Sequence, residues 1–155
     1  MSKPLAGIRV VDCTAVLSGP LATAMLADQG ADVIKIESPE GGDPIRQWRV
    51  LKDGNSLWWS VQSRNKKSVT LNMKDPRAQE IARQLALDAD IIIENYRPGV
   101  MEKWSLGYEQ LKAINPALIM IRLSGYGQTG PMRDAPGFGA IGESMGGMRY
   151  VSGHA

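Results

Sequence analysis

The segment from Leu5 to Arg46 constrains the fold more than any other part of the chain, because two short β-branched runs flank a stretch with helical start and stop chemistry. The runs are Gly7–Asp12 and Ala31–Ile36, and between them Leu21, Met25 and Leu26 recur at helical spacing over residues 18–29. Ser18 is placed to cap the helix, Pro20 suits its first turn and Gly30 follows its end. Strand, helix and strand joined by such short connections predict parallel strands with a right-handed crossover.

The pattern recurs downstream. Ser68–Asn72 reads as a third strand, and Asp75-Pro76 opens a helix whose apolar stripe is Ala78, Ile81, Ala82 and Leu85. Asp90–Asn95 contains three consecutive isoleucines, as a strand covered on both faces requires. A short helical segment over 108–114 leads into a fifth strand at Ala117–Leu123. Five strands interleaved with helices predict an α/β fold, a doubly wound Rossmann-like parallel sheet in one domain. The long interruption at Ser38–Asn65 carries Trp48, Trp58 and Trp59, which predict packing against the interior or a partner chain. The closing segment Gly139–Gly147 can form a short helix despite poor propensity, and its glycines suit close approach to a ligand or a second helix.

Composition narrows the function. With 155 residues, 43% of them hydrophobic, the chain can bury a sizeable core. Eighteen Lys and Arg against 16 Asp and Glu leave a charge of +2, too even for a nucleic-acid binder or a polybasic membrane binder. The one compact basic cluster, Arg64, Lys66 and Lys67, reads as a solvated loop. A single cysteine, Cys13, excludes an internal disulfide, and a single histidine, His154, leaves neither a His/Cys metal site nor a Ser-His-Asp or Cys-His arrangement. Cys13 ends an apolar strand and reads as a small buried hydrophobe. No apolar run approaches about 18 residues and no secretory leader opens the chain, so a cytoplasmic protein is expected.

In an open parallel sheet, ligands sit at the carboxyl ends of the strands. After the first strand, Thr14–Pro20 lacks GxGxxG, so a dinucleotide loses its main support, although the helix start offers free N–H groups to an anion or oxyanion. After the second, Glu37–Pro44 holds two glycines and two prolines, as a plain turn or part of a site. After the third, Lys74 brings a cation to meet phosphate or the next helix. After the fourth, Asn95, Tyr96 and Arg97 combine an amide, a ring and a guanidinium fork, which suits a nucleotide or an ordinary capped turn. Among the acidic candidates Asp12, Glu37, Glu94, Asp134 and Glu143, none has a visible activating partner. Asp12 and Glu94 read as acceptors for backbone N–H groups, and Glu143 is the internal carboxylate best suited to a site.

Several blocks then occur in order: LAGIRVVDCT, an SGP turn, GADVIKIESPEGGDPIR, RNKKSVTLNMK, ADIIIENYRPGVMEKWSLGYEQL, NPALIMIRLSGYGQTGP and PGFGAIGESMGGM. Together they resemble the class III CoA-transferases, the group containing formyl-CoA transferase, carnitine CoA-transferase and the α-methylacyl-CoA racemases. The resemblance implies that residues 1–155 are the N-terminal part of a CoA-binding Rossmann-like large domain, with the small domain, the C-terminal return segment and the catalytic aspartate lying beyond Ala155. It implies coenzyme A or acyl-CoA as substrate with no permanently bound cofactor, a small carboxylic acid as second substrate, and an interlocked homodimer at full length. Carried over by position, Val16, Leu17 and Ser18 lie near the thioester and Ser38 near the nucleotide, with Leu71, Asn72, Met73, Lys74, Asn95, Tyr96, Arg97, Lys103, Gly137 and Phe138 completing the CoA site. The implied reaction passes through an aspartyl anhydride and an enzyme-bound thioester, so the fragment alone is expected to be inactive. Some relatives carry glutamine at the position of Leu17 and arginine at that of Ser38. Racemases place a histidine in the block where Phe138 stands, and a phenylalanine cannot move a proton, so transfer is favoured over racemisation. The remaining alternative is a non-catalytic CoA- or nucleotide-binding module.

Overall fold

In the computed structural model, which describes residues 3–153, the extended runs form β1 (Arg9–Cys13), β2 (Asp32–Glu37), β3 (Leu51–Lys52), β4 (Asn55–Ser56), β5 (Lys66–Thr70), β6 (Ile91–Glu94) and β7 (Ile119–Arg122). His154 lies outside the described residues. The helices are α1 (Ser18–Asp28), α2 (Leu57–Gln62), α3 (Pro76–Leu87), α4 (Val100–Lys103), α5 (Tyr108–Lys112), α6 (Gly139–Met145) and α7 (Met148–Val151), with one 3₁₀ turn at Pro44–Gln47. Five strands pair in parallel in the order β5-β2-β1-β6-β7, while β3 and β4 make a separate antiparallel hairpin inside the tryptophan-bearing connection. The fold is the expected α/β sheet flanked by helices.

The inner strands β1 and β6 are covered on both faces, which explains the isoleucine run of β6. Val11 and Ile92 pack with Ala78, Ala82 and Ala86 of α3, Met101, Leu106 and Leu111. On the opposite face Val10, Val33 and Ile93 pack with Ala27 and Ala31. Register ties the layers together, with Val11 opposite Ile34 on one side and Ile92 on the other.

Small residues, rather than large ones, bring the helices onto the sheet. In α1 the buried positions are Gly19, Pro20, Thr23, Ala24 and Ala27, whereas Leu21 and Met25 are 45% and 59% exposed, contrary to the apolar spacing that placed them inside. A Cβ on Gly19 would overlap the Thr14 side chain, so only glycine allows α1 to lie this close to the end of β1. In α3 the alanines face inward, and Ile81 of the expected stripe is 48% exposed. Close backbone approach rotates the bulky neighbours outward.

Three further expectations are corrected. The third strand begins two residues earlier, at Lys66, because its pairing with β2 sets Lys66 opposite Val33 and Thr70 opposite Glu37. Ser18 opens α1 instead of capping it: Leu17 occupies the cap position without a side-chain hydrogen bond. The basic cluster is only partly solvated: Arg64 and Lys67 stay exposed and pair with Asp28 and Asp32, but the Lys66 ammonium is buried against Asp12. Of the tryptophans, Trp59 lies under the Arg46 guanidinium at 3.6 Å, and Trp48 and Trp58 are more exposed.

Because α3 meets the sheet through alanine, Ala82→Leu is expected to lower stability by about 1–3 kcal/mol through overpacking, read as a lower denaturant midpoint with an unchanged slope.

Candidate functional site

The strand order reverses between β1 and β6, and at such a switch point the flanking loops diverge and leave a crevice at the carboxyl edge. The loop after β1 is held there by three side chains. Thr14 N–H donates to Asp12 Oδ1 at 3.0 Å, Ala15 N–H to Asn95 Oδ1 at 3.0 Å and Val16 N–H to Asp43 Oδ1 at 3.1 Å. Asn95 also donates its Nδ2 to the Ala15 carbonyl at 2.8 Å, so its amide closes a two-bond bridge across the switch point. Val16 takes φ of 74°, a left-handed backbone that a β-branched residue rarely adopts. Beyond it the N–H groups of Leu17, Ser18 and Gly19 donate to no protein acceptor among the described residues, and the first helical bond runs from Leu21 N–H to the Leu17 carbonyl.

A buried charge network lies directly beneath this loop. The Lys35 ammonium donates to the Thr14 carbonyl at 2.7 Å and lies 3.0 Å from Asp43 Oδ2 and 4.0 Å from Asp12 Oδ2. The Lys66 ammonium contacts Asp12 Oδ2 at 3.1 Å and donates to the Pro20 carbonyl and to Thr23 Oγ1, both at 2.7 Å. Burial alone would raise the Asp12 carboxyl, but the charges of Lys35 and Lys66 and hydrogen bonds from Thr14 and Thr23 hold it below the usual carboxylate range. Burial pulls the Lys66 ammonium down, an effect that Asp12 only partly offsets.

Two more carboxylates are fixed at strand ends. Burial would raise Glu37, yet Arg46 at 2.8 and 2.9 Å, Ser68 Oγ and the Asp43 N–H at 2.9 Å hold it at about 2. Glu94 accepts from Tyr96 N–H and from Arg122 Nε, both at 2.7 Å, and burial still pushes its carboxyl above the ordinary value. Arg122 continues to Glu102 at 2.6 Å. Cys13 is buried, and desolvation with the nearby Asp12 and Glu94 pushes its thiol up to about 12, so no thiolate forms near neutral pH. Among the described residues, no group of three His, Cys, Asp or Glu side chains is arranged to hold a metal.

Comparison with known proteins supplies the family. The family model described as CoA-transferase family III matches residues 5–155. The chain belongs to that family. It is 51% identical to succinyl-CoA–D-citramalate CoA-transferase of Chloroflexus aurantiacus over 97% of its own length and 38% of that protein. Against succinyl-CoA:glutarate CoA-transferase of Mus musculus the identity is 44%, over 97% of this chain and 35% of the relative. A solved CAIB/BAIF family protein from Brucella suis superposes with a TM-score of 0.88 at 39% identity, covering 95% of this chain and 40% of that one. The chain thus spans less than two-fifths of the length of these curated relatives.

Within this CoA-transferase family III chain, the parallel strands bring most of the sequence-derived site residues to one sheet edge. Val16 and Leu17 are half-buried and Ser18 exposed in the pinned loop. Ser38 is exposed, with Oγ accepting from Glu40 N–H at 3.1 Å. Of the four residues after β5, Leu71 is buried in the core, Met73 packs against it, and Asn72 and Lys74 are exposed. Tyr96 turns inward to an edge-on contact with Trp104 at 5.0 Å, whereas Arg97 and Lys103 are exposed. Gly137 lies on Gly125, where a Cβ added to Gly125 would come within 2.7 Å of the Gly137 Cα, and Phe138 beside it is 83% exposed. A 680 Å³ groove lined by Tyr108, Ile119, Met120 and Arg122 runs along β7, away from the switch point.

Asp43, Lys35 and Arg46 were not singled out by sequence reasoning, which left residues 37–44 open between a plain turn and part of a site. A signal existed: Asp12 and Lys35 are opposite charges inside two apolar runs, and the sheet sets them directly opposite one another.

Glu37 is depressed from 4.5 to about 2 in the folded chain, so its contribution to stability is present above pH 4.5 and lost as pH falls towards 2. Glu37→Gln is therefore expected to be less stable than wild type near neutrality. The gap should close through that acid window in urea denaturation curves taken at stepped pH.

Proposed function

We propose that this chain is the N-terminal part of the CoA-binding large domain of a transferase that moves CoA from an acyl-CoA thioester to a small carboxylic acid. The observation that carries the proposal is the 51% identity, over 97% of the chain, to a relative named for CoA transfer between succinyl-CoA and citramalate. Other relatives are named for malate and glutarate, so succinyl-CoA is the proposed donor and a short dicarboxylate the proposed acceptor.

In this proposal an aspartate beyond residue 155 attacks the thioester carbonyl, expelling CoA as thiolate and leaving a mixed anhydride of the aspartate and the first acyl group. The thiolate attacks the aspartyl carbonyl, releasing the first carboxylate and leaving an enzyme-bound thioester. The second carboxylate attacks that thioester, and returning CoA takes the new acyl group and frees the aspartate. Each intermediate carries an oxyanion, for which backbone N–H groups in a water-poor crevice are effective partners. Leu17 and Ser18 at the start of α1 supply such groups beside Val16. Arg97 and Lys74 meet the phosphates of CoA, Ser38 and Asn72 its polar edges, and Lys103, Gly137 and Phe138 its remaining contacts. Leu71, Met73, Asn95 and Tyr96 shape the loops that carry these residues. The protein works as a cytoplasmic homodimer whose chains interlock, with the small domain and the return segment supplied by residues beyond 155.

The test uses the natural full-length protein with succinyl-CoA and citramalate, malate or glutarate, following new thioesters by chromatography. Saturable exchange with at least one acceptor is expected, and exchange with none would defeat the proposal. Arg97→Ala is expected to raise KM for succinyl-CoA about tenfold with kcat little changed, as loss of one charged hydrogen bond implies. The 155-residue chain alone is expected to show no exchange.

A further inference from the structure

We propose that Asp43 is a positioning residue that decides which backbone N–H groups face the crevice, by fixing Val16 in its left-handed conformation through the Val16 N–H. The inference rests on the transferase reading for its catalytic consequence. The clamp itself rests only on geometry.

Thr14, Ala15 and Val16 are consecutive, and each N–H is taken by an oxygen from a different place: β1 itself, the β6 loop and the β2 loop. The next three N–H groups, those of Leu17, Ser18 and Gly19, have no protein acceptor among the described residues. The division between engaged and free donors therefore falls at Val16. A valine at φ 74° is held at a cost of about 1–3 kcal/mol, and such a conformation persists only where its surroundings over-determine it. Released from Asp43, Val16 would relax towards the extended region, turning the peptide that follows and re-aiming the Leu17 N–H.

Asp43 is built for such a role. Its Oδ1 accepts from both Val16 N–H and Ile45 N–H at 3.1 Å, its Oδ2 lies 3.0 Å from the Lys35 ammonium, and its own N–H donates to Glu37. The side chain is buried on every side. One carboxylate thus joins the β1 loop, β2 and the 3₁₀ turn, and it cannot follow solvent.

The experiment compares two full-length variants that share the loss of the buried ion pair and differ in the acceptor offered to Val16 and Ile45. Asp43→Asn/Lys35→Met keeps a carbonyl oxygen at that position and Asp43→Ala/Lys35→Met removes it, while both keep the remaining charges balanced. Thermal midpoints are expected to fall in both, further in the alanine variant because the Val16 and Ile45 N–H groups lose their acceptor. Amide exchange, followed by mass spectrometry on peptides covering residues 14–19, is expected to quicken strongly at Val16 only in the alanine variant. In wild type, Ala15 and Val16 should be protected while Leu17 and Ser18 exchange freely. With succinyl-CoA, kcat is expected to drop roughly 100-fold in the alanine variant, as a misplaced catalytic group implies, with KM within about threefold of wild type, and to recover largely in the asparagine variant. Equal loss of kcat in both variants, or a Val16 amide as labile as Leu17 in wild type, would overturn the clamp. A wild-type protein that exchanges no CoA defeats the transferase reading alone, and the Val16 exchange comparison then decides the clamp by itself. Should the alanine variant not fold, the wild-type protection pattern and the asparagine variant's turnover still decide it.

Discussion

The ion cluster under the carboxyl edge is the constraint on which the remaining structure depends. Asp12, Asp43, Lys35 and Lys66 place two negative and two positive charges where almost no water reaches. Isolated charges in such a place would cost many kcal/mol, and they are tolerated here because each is paired with an opposite charge. Asp12 and Lys35 face each other across the β1–β2 register, and Lys66 reaches from the edge strand β5 to Asp12 and to α1. A one-residue slip of either strand would turn a charge into the apolar layer. The cluster therefore fixes register at β5, β2 and β1 together, something the nondirectional packing of Val10, Val11 and Val33 does not do alone.

The same cluster explains why the helix packing is built from small residues. Thr23 on α1 must come within 2.7 Å of the Lys66 ammonium and donate to Asp12, which draws the helix axis close to the sheet. Gly19 then lies underneath because a Cβ would overlap Thr14, Ala24 is buried beside it, and Leu21 and Met25 are turned outward. Helical periodicity located the helix correctly and Leu26 packs on the core, but Leu21 and Met25 point outward, since volume at the contact, rather than hydrophobicity alone, selects which side goes inward. In α3 the stripe read from sequence does face the core at Ala78, Ala82 and Leu85, and only Ile81 is displaced outward.

The fold was legible because its signals are local: β-branched runs, Asp75 capping a helix that opens with Pro76, and connections too short for anything but adjacent elements. The candidate loops were legible because parallel topology sends every carboxyl end to one edge. What was not legible was the wiring between them. Asp43 lies 27 residues from Val16 in sequence, and Asn95 lies 80 from Ala15. No spacing rule links such positions, and only the strand order brings them together. Lys66 illustrates the converse error, because a lysine in a basic cluster looks solvated until the sheet and α1 bury its ammonium against Asp12 and Thr23.

Asn95 shows how that wiring bears on chemistry. In sequence its amide, beside a tyrosine and an arginine, suits a polar edge of a nucleotide, yet both ends of that amide are engaged by Ala15. Tyr96 likewise turns towards Trp104. Within this trio only Arg97 remains free to meet an anion, while the other two residues hold the loop that presents it. A rigid loop loses little conformational entropy when a ligand arrives, and backbone donors that are already aimed need no reorganisation during reaction. Valine at position 16 fits that logic better than glycine would. Glycine would accept φ 74° without strain and would also leave it easily, whereas a β-branched residue held by anchors on both sides has one conformation available. The strain at Val16 is the counterpart of the buried charges beneath it, and the same carboxylate, that of Asp43, connects the two.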